Sequence, residues 1–254
     1  MSTPVLLRPR TPAAAPLAYP GRAPRRDWVI EGARVRWLEA WEATPDRDAT
    51  DHIAILAIAS NRHPRRLLAH LGGASRSRVY GIRTVVTGVD VVYPANVASY
   101  GVVTATVVPS ADASIVSWVL LMKRDELLHL TASERLGVDF DLYALPEVSA
   151  GPVSAHGSRR APLAFVHRNG PLPFPDGRPR ALWRVRKLHG GLPRASIHTA
   201  HRRAAELLGR SSCAWPLRSE RCTSSNRALA RFGLPITWPE TARLNDGPEL
   251  RQLG

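Results

Sequence analysis

The sequence predicts an α+β domain. Three observations carry that prediction. Residues 53–59 (IAILAIA) form an apolar run that breaks into Ser60-Asn61 and then into Pro64 and a leucine-rich stretch. Segments rich in valine and threonine follow one another closely between residues 84 and 122. Helical patterns then appear at 124–133 and 195–208. Strands that crowd together before helices gather make an antiparallel sheet or barrel with flanking helices, not a βαβ alternation.

In order along the chain, residues 1–26 hold six prolines (Pro4, Pro9, Pro12, Pro16, Pro20, Pro24), several arginines and no acid. They read as a disordered or extended lead-in. One domain is expected over 27–240, with 241–254 as a tail. Residues 27–42 carry Trp28, Val35, Trp37, Leu38 and Trp41 in a spacing that suits either strand or helix. Residues 44–51 are a polar linker. The run 53–59 is too short to cross a membrane and reads as a strand buried on both faces. Ser60-Asn61 favour a turn, Pro64 suits the first turn of a helix, and Leu67, Leu68 and Leu71 form its stripe. A strand, polar loop and helix in this order can aim unpaired N–H groups at a carboxylate or phosphate, or can be an ordinary connection.

Strands are expected at 84–93, 99–108 and 115–122, with 109–112 (PSAD) as the turn between the last two. Asp125 and Glu126 fall in the first turn of the helix 124–133, whose stripe is Leu127, Leu128 and Leu130. Short strands follow at 140–145, 163–166 and 181–185, the last two around the turn 173–177, and further helices at 195–208 and 225–232. The stretch 146–160 is looser.

Charge and cysteine content narrow the classes. The net charge is +14, and of the 35 basic residues only Lys123 and Lys187 are lysine. Residues 51–155 are balanced, nine basic against nine acidic, whereas 156–210 hold twelve basic against two acidic. Such a block can attract nucleic acid. No aromatic-and-basic RNA motif accompanies it, so a nucleic-acid partner ranks last. Cys213 and Cys222 do not have a zinc spacing and read as free thiols. His198 and His201 lie three apart on a helix without an evident third ligand, and read as surface histidines, as do His63 and His129. No metal or cofactor is expected. With no apolar run of about 20 residues and no signal-peptide core, the cytoplasm is the expected location and no membrane partner is expected.

Glu134 stands out at the end of the helix 124–133, in LTASERLG. An acid there meets the negative end of the helix dipole, which suits it to hold and pass on a proton. On the residues alone, a solvated helix-end charge or a partner for Arg135 is the favoured reading.

Taken together, the loop 58–61 after the first buried strand, the antiparallel strands and the later Glu134 resemble the gamma-glutamylcyclotransferase-like superfamily, an uncharacterised bacterial branch most of all. Val91-Val92-Tyr93, Tyr100-Gly101, 105–109 and 232–239 share in the likeness, which spans about 50–240. The resemblance implies a small mixed, largely antiparallel β-barrel with flanking helices. It implies a substrate-binding loop of Ile58, Ala59, Ser60 and Asn61, and Glu134 as the proton-transferring catalytic residue. Ile58 and Ala59 stand where that superfamily has Tyr and Gly. The implied reaction is intramolecular acyl transfer on a gamma-glutamyl amine or related small amide, releasing 5-oxoproline. A non-catalytic relative that binds a small ligand or a protein partner is the alternative.

Overall fold

A computed structural model describes residues 19–39, 52–145, 161–210, 219–237 and 243–244. The chain is a mixed α+β fold built on one large, mostly antiparallel sheet. Its strands are β1 (Trp28–Glu31), β2 (Arg34–Trp37), β3 (Ile53–Ala57), β4 (Val79–Val92), β5 (Thr106–Met122), β6 (Phe140–Ala144), β7 (Leu163–His167), β8 (Ala181–Leu182), β9 (Arg186–His189) and β10 (Arg194–Ala195). The helices are α1 (Pro64–His70), α2 (Arg124–Ser133), α3 (Ile197–Leu207) and α4 (Ser219–Ala230).

The path through the sheet runs β10-β8-β4-β5-β3-β7-β6, with β1 on β4, β2 on β1 and β9 on β5. β3 lies inside the sheet, antiparallel to β5 and parallel to β7. Its five residues are all buried, as an apolar run between two neighbours requires. Ile53, Ile55 and Ala57 join Leu67 of α1 and Leu127 and Leu130 of α2 in one core. Leu56 points the other way, into a core shared with Ala200 and Ala204 of α3. Alternation along one strand thus divides the helices between the two faces of the sheet.

The sheet does not close. At one end β8 and β10 are two residues long and leave little edge to pair. At the other, the outer edge of β6 is taken by residues 243–244: Leu244 N–H donates to the Leu142 carbonyl at 2.7 Å, and Tyr143 bridges Arg243. The expected barrel is therefore an open sheet, and part of the expected tail belongs to it.

Other expectations shift as well. Of the expected strand 99–108 only the end from Thr106 is strand, and it runs on without a break into 115–122 as β5, while 99–105 form a loop. The turn signals at 109–112 are absorbed where the β4–β5 register slips between Thr87 and Gly88, so that Thr87 faces Ser114 and Gly88 faces Ser110. A proline without an N–H and three surplus residues fit a bulge as well as a turn. Residues 163–166 and 181–185 do not pair with each other: β7 joins β3 and β6, and β8 joins β4 and β10. Residues 19–26, expected in the disordered lead-in, lie against the domain. Tyr19 packs on the α3-side core, Ala23 on the other, and the Gly21 carbonyl accepts from Arg62 Nη2 at 3.2 Å. The expectations for residues 1–18, 44–51 and 146–160, and for Cys213 and the side chain of Cys222, lie outside the described residues.

Candidate active site

β3 ends at Ala57, Ile58 and Ala59 lead out of the sheet, and a single 3₁₀ turn follows at Ser60–Arg62. Two bonds close it, Arg62 N–H to the Ala59 carbonyl at 3.4 Å and His63 N–H to the Ser60 carbonyl at 3.0 Å. The first donors of a turn have no partner within it. Among the described residues the N–H groups of Ser60 and Asn61 find none elsewhere either. Ala59 has φ −137°, so the backbone here does not use the left-handed region that demands glycine. Trp28 Nε1 donates to the Arg62 carbonyl at 3.2 Å and anchors the turn from behind.

Helix α2 delivers the acid. It spans the predicted residues and ends on Glu134, whose N–H still bonds the Leu130 carbonyl at 2.9 Å. Arg135 then adopts φ +55° and turns the chain away. His70, the last residue of α1, meets Ser133 Oγ through Nδ1 at 3.0 Å, which ties the ends of α1 and α2 together. As a result Asn61 Nδ2 donates to Glu134 Oε1 at 2.8 Å, across 73 residues of sequence. That bond fixes the amide, and Asn61 Oδ1 is left buried without a hydrogen-bond partner among the described residues.

Ile58, Ala59, Ser60, Asn61 and Glu134 all line one cavity of about 490 Å³. Tyr19, Arg66 and Tyr100 also line it, among other polar residues that include Arg135 and Asp139. Tyr100 sits at the tip of a loop in which Val97 bridges Val103 and Gly101, at φ +82°, makes the turn. Two helices hold that loop. Asn226 of α4 accepts from Val97 N–H at 2.7 Å and donates to its carbonyl at 2.8 Å, and His201 Nε2 of α3 accepts from Val103 N–H at 3.2 Å.

Burial, then Tyr100 and Glu134, push the Tyr19 hydroxyl well above its ordinary pKa, against the pull of Arg62 and Arg66. Desolvation also raises the Tyr100 hydroxyl, opposed by Arg66 and aided by Glu134. Both phenols are therefore neutral hydrogen-bond donors at pH 7. The cavity thus offers the Glu134 carboxylate, the backbone N–H groups of Ser60 and Asn61, two phenols and the Arg66 cation, with Asp139 also in the lining but paired to Arg135. That set suits a small ligand bearing a carboxylate and an amine.

Sequence reasoning places the loop and Glu134 but assigns no part to Tyr19, Arg66 or Tyr100. Tyr100-Gly101 belongs to the stretch that carries the resemblance, which gives it no role. Tyr19 falls within the supposed lead-in. The histidine readings also change. His201 is 3% exposed, buried against the Tyr100 loop, and only His198 is at the surface. His63 is half-buried and His129 exposed. Among the described residues no three His, Cys, Asp or Glu side chains gather as a metal site. No described helix is long and apolar enough to cross a membrane.

Comparison of the chain with family models, with curated proteins and with solved structures finds no match.

Proposed function

We propose that the cavity at Ser60, Asn61 and Glu134 cyclises a gamma-glutamyl amine or related small amide, as in the gamma-glutamylcyclotransferase-like superfamily. The observation that carries the reading is the 2.8 Å bond from Asn61 Nδ2 to Glu134 Oε1 inside one cavity with the unpaired N–H groups of Ser60 and Asn61. A general acid–base group must lie within hydrogen-bond reach of what it serves, directly or through a water.

In this mechanism the loop N–H groups and Arg66 hold the substrate carboxylate. The substrate ammonium lies between Glu134 and the unpaired Asn61 Oδ1. Glu134 takes a proton from it, and the freed amine attacks the side-chain carbonyl. The new C–N bond closes the five-membered ring. Glu134 returns that proton to the leaving nitrogen as the old amide C–N bond breaks, and the surplus proton on the new ring nitrogen passes to the departing amine, giving 5-oxoproline and a protonated amine. The phenols of Tyr19 and Tyr100 donate to the oxyanion that develops on the carbonyl. Holding the chain folded in a small cavity supplies further rate, because the attack is intramolecular.

The test is an assay of wild type and Glu134→Gln against a panel of gamma-glutamyl amines, reading released 5-oxoproline. Glutamine keeps the bond to Asn61 but cannot shuttle a proton, so turnover falls by about 10²–10⁴ while substrate binding changes little. No turnover by wild type on any member would sink the enzyme reading, and undiminished turnover in the variant would remove Glu134 from the mechanism.

A further inference from the structure

Arg62 follows Asn61 directly but lines a different cavity, of about 190 Å³, which shares no lining residue with the first. Arg25, Arg83, Arg184, Arg186 and Trp118 line it too, and among the described residues no carboxylate does. Strand register assembles much of this wall. Arg83 of β4 stands opposite Trp118 of β5, and Arg186 of β9 stands opposite Val116. Val116 and Trp118 are two apart, so the four side chains share one face of the sheet.

Two buried donors there lack acceptors among the described residues. Arg62 is 2% exposed, and its Nη2 donates to the Gly21 carbonyl while its Nε has no partner. Trp118 is also 2% exposed, and its Nε1 has no partner. The guanidinium groups of Arg62 and Arg83 each lie 6.0 Å from the Trp118 ring. Asp27 sits beside Arg83, whose backbone N–H it accepts at 2.7 Å. Buried polar groups are almost always paired, and each exception calls for an explanation. Here every orphan is a donor, the walls are cationic, and a cavity of this size suits a compact ion better than a strand of nucleic acid.

We propose that this cavity binds a phosphate-class oxyanion, either a free inorganic anion or the terminal phosphates of a nucleotide. Guanidinium groups match phosphate oxygens in paired hydrogen bonds, and Trp118 adds a neutral donor. A bound anion would also relieve the repulsion among the five arginines. The site is independent of the chemistry proposed for Glu134.

The experiment titrates the full chain with sodium pyrophosphate, inorganic phosphate and ATP by calorimetry, with ionic strength held constant by chloride because screening weakens all such contacts. Saturable binding is expected, with a raised Tm. Arg184 and Arg186 are exposed, so the double variant Arg184→Ala/Arg186→Ala keeps the fold, which circular dichroism and an unchanged ligand-free Tm verify. Its affinity falls about tenfold or more, as loss of charged hydrogen bonds implies. Pyrophosphate binding as tightly as ATP identifies a free anion as the ligand, and ATP binding alone identifies a nucleotide's phosphates. Absence of saturable binding by all three, or binding untouched in the double variant, overturns the proposal.

Discussion

Asn61 and Arg62 stand side by side in one 3₁₀ turn, and each lines a different cavity. Around Asn61, donors meet acceptors. Its amide N–H₂ bonds Glu134, and its carbonyl oxygen is left over for a ligand that donates. Among the described residues, the polar side chains that line the cavity at Arg62 are donors only, two of them with a buried nitrogen that has no partner. The contrast separates two kinds of work. A balanced cavity can move a proton, because it holds a group that accepts one beside groups that donate. An all-donor cavity can do no acid–base chemistry at neutral pH, since guanidinium does not titrate there, but it can hold an anion.

The same contrast runs between two buried charges, Glu126 and Arg62. Glu126 of α2 is 3% exposed, and Oε1 accepts from the N–H groups of both Arg76 and Ser77 at 2.8 and 2.7 Å. Burial alone would raise its carboxyl, but the hydrogen bonds from Ser77 and Arg76 outweigh it and hold the pKa below the ordinary value. Oε1 thus serves the structure, while Oε2 has no hydrogen-bond partner among the described residues. We expect Glu126→Ala to cost about 2–4 kcal/mol, because it strands two backbone donors at about 1–3 kcal/mol each. Urea denaturation measures this directly. A loss below about 1 kcal/mol would mean that Glu126 is as loosely satisfied as Arg62, and the comparison would fail.

How much of this was legible in the sequence follows from which contacts are local. The run 53–59, Pro64 with its leucines, and α2 are set by neighbouring residues, and their limits fall within one or two residues of expectation. The meeting of Asn61 with Glu134 was anticipated only through the order of motifs. The cavity around Arg62 was not legible. It depends on which residue of β4 faces which residue of β5, and that register is displaced by a bulge the sequence presents as the turn 109–112. Nor does an arginine after Ser-Asn announce that it will be buried. The basic surplus at 156–210 reads as one block, but the fold disperses its described part. Arg168, Arg180, Lys187 and Arg203 pair with Asp141, Asp176, Asp90 and Glu206, while Arg184 and Arg186 turn to the second cavity.

His63, next to Arg62, reports on the field around the turn. Burial, then Arg62 and Arg66, lower its pKa to about 4. The unfolded chain takes up a proton near 6.5, whereas the folded one refuses it until about 4. Between those values the unfolded state binds more protons, so stability is full above about pH 6.5 and falls as the pH drops toward 4. The slope from this one group is at most about 1.4 kcal/mol per pH unit. His167 and His201, lowered to about 3 and about 4 by burial, add the same sign in every variant. Melts of wild type and His63→Gln between pH 7 and 4.5 isolate its share as the difference in slope. Parallel curves would show that the turn does not carry the positive field that distinguishes the second cavity.

The smallest expected effect falls on Arg62 itself. Methionine keeps the length and the apolar stem that packs near Trp118, and removes the charge. The substitution loses one hydrogen bond, to the Gly21 carbonyl, which by itself destabilises. It also removes a buried cation that has no carboxylate partner among the described residues, along with an unpaired Nε, and that stabilises. Replacing buried ions by apolar groups of similar volume is often neutral or favourable. The two effects nearly cancel, so we expect Arg62→Met to change stability by no more than about 1 kcal/mol in anion-free buffer. The same variant should lose most of the stabilisation that pyrophosphate gives wild type, since ligand linkage scales with affinity for the folded state. Paired denaturation curves with and without pyrophosphate read both quantities at once. A loss of several kcal/mol without ligand would place Arg62 with Glu126, as a charge whose bonds serve the fold, and leave the cavity without its central donor.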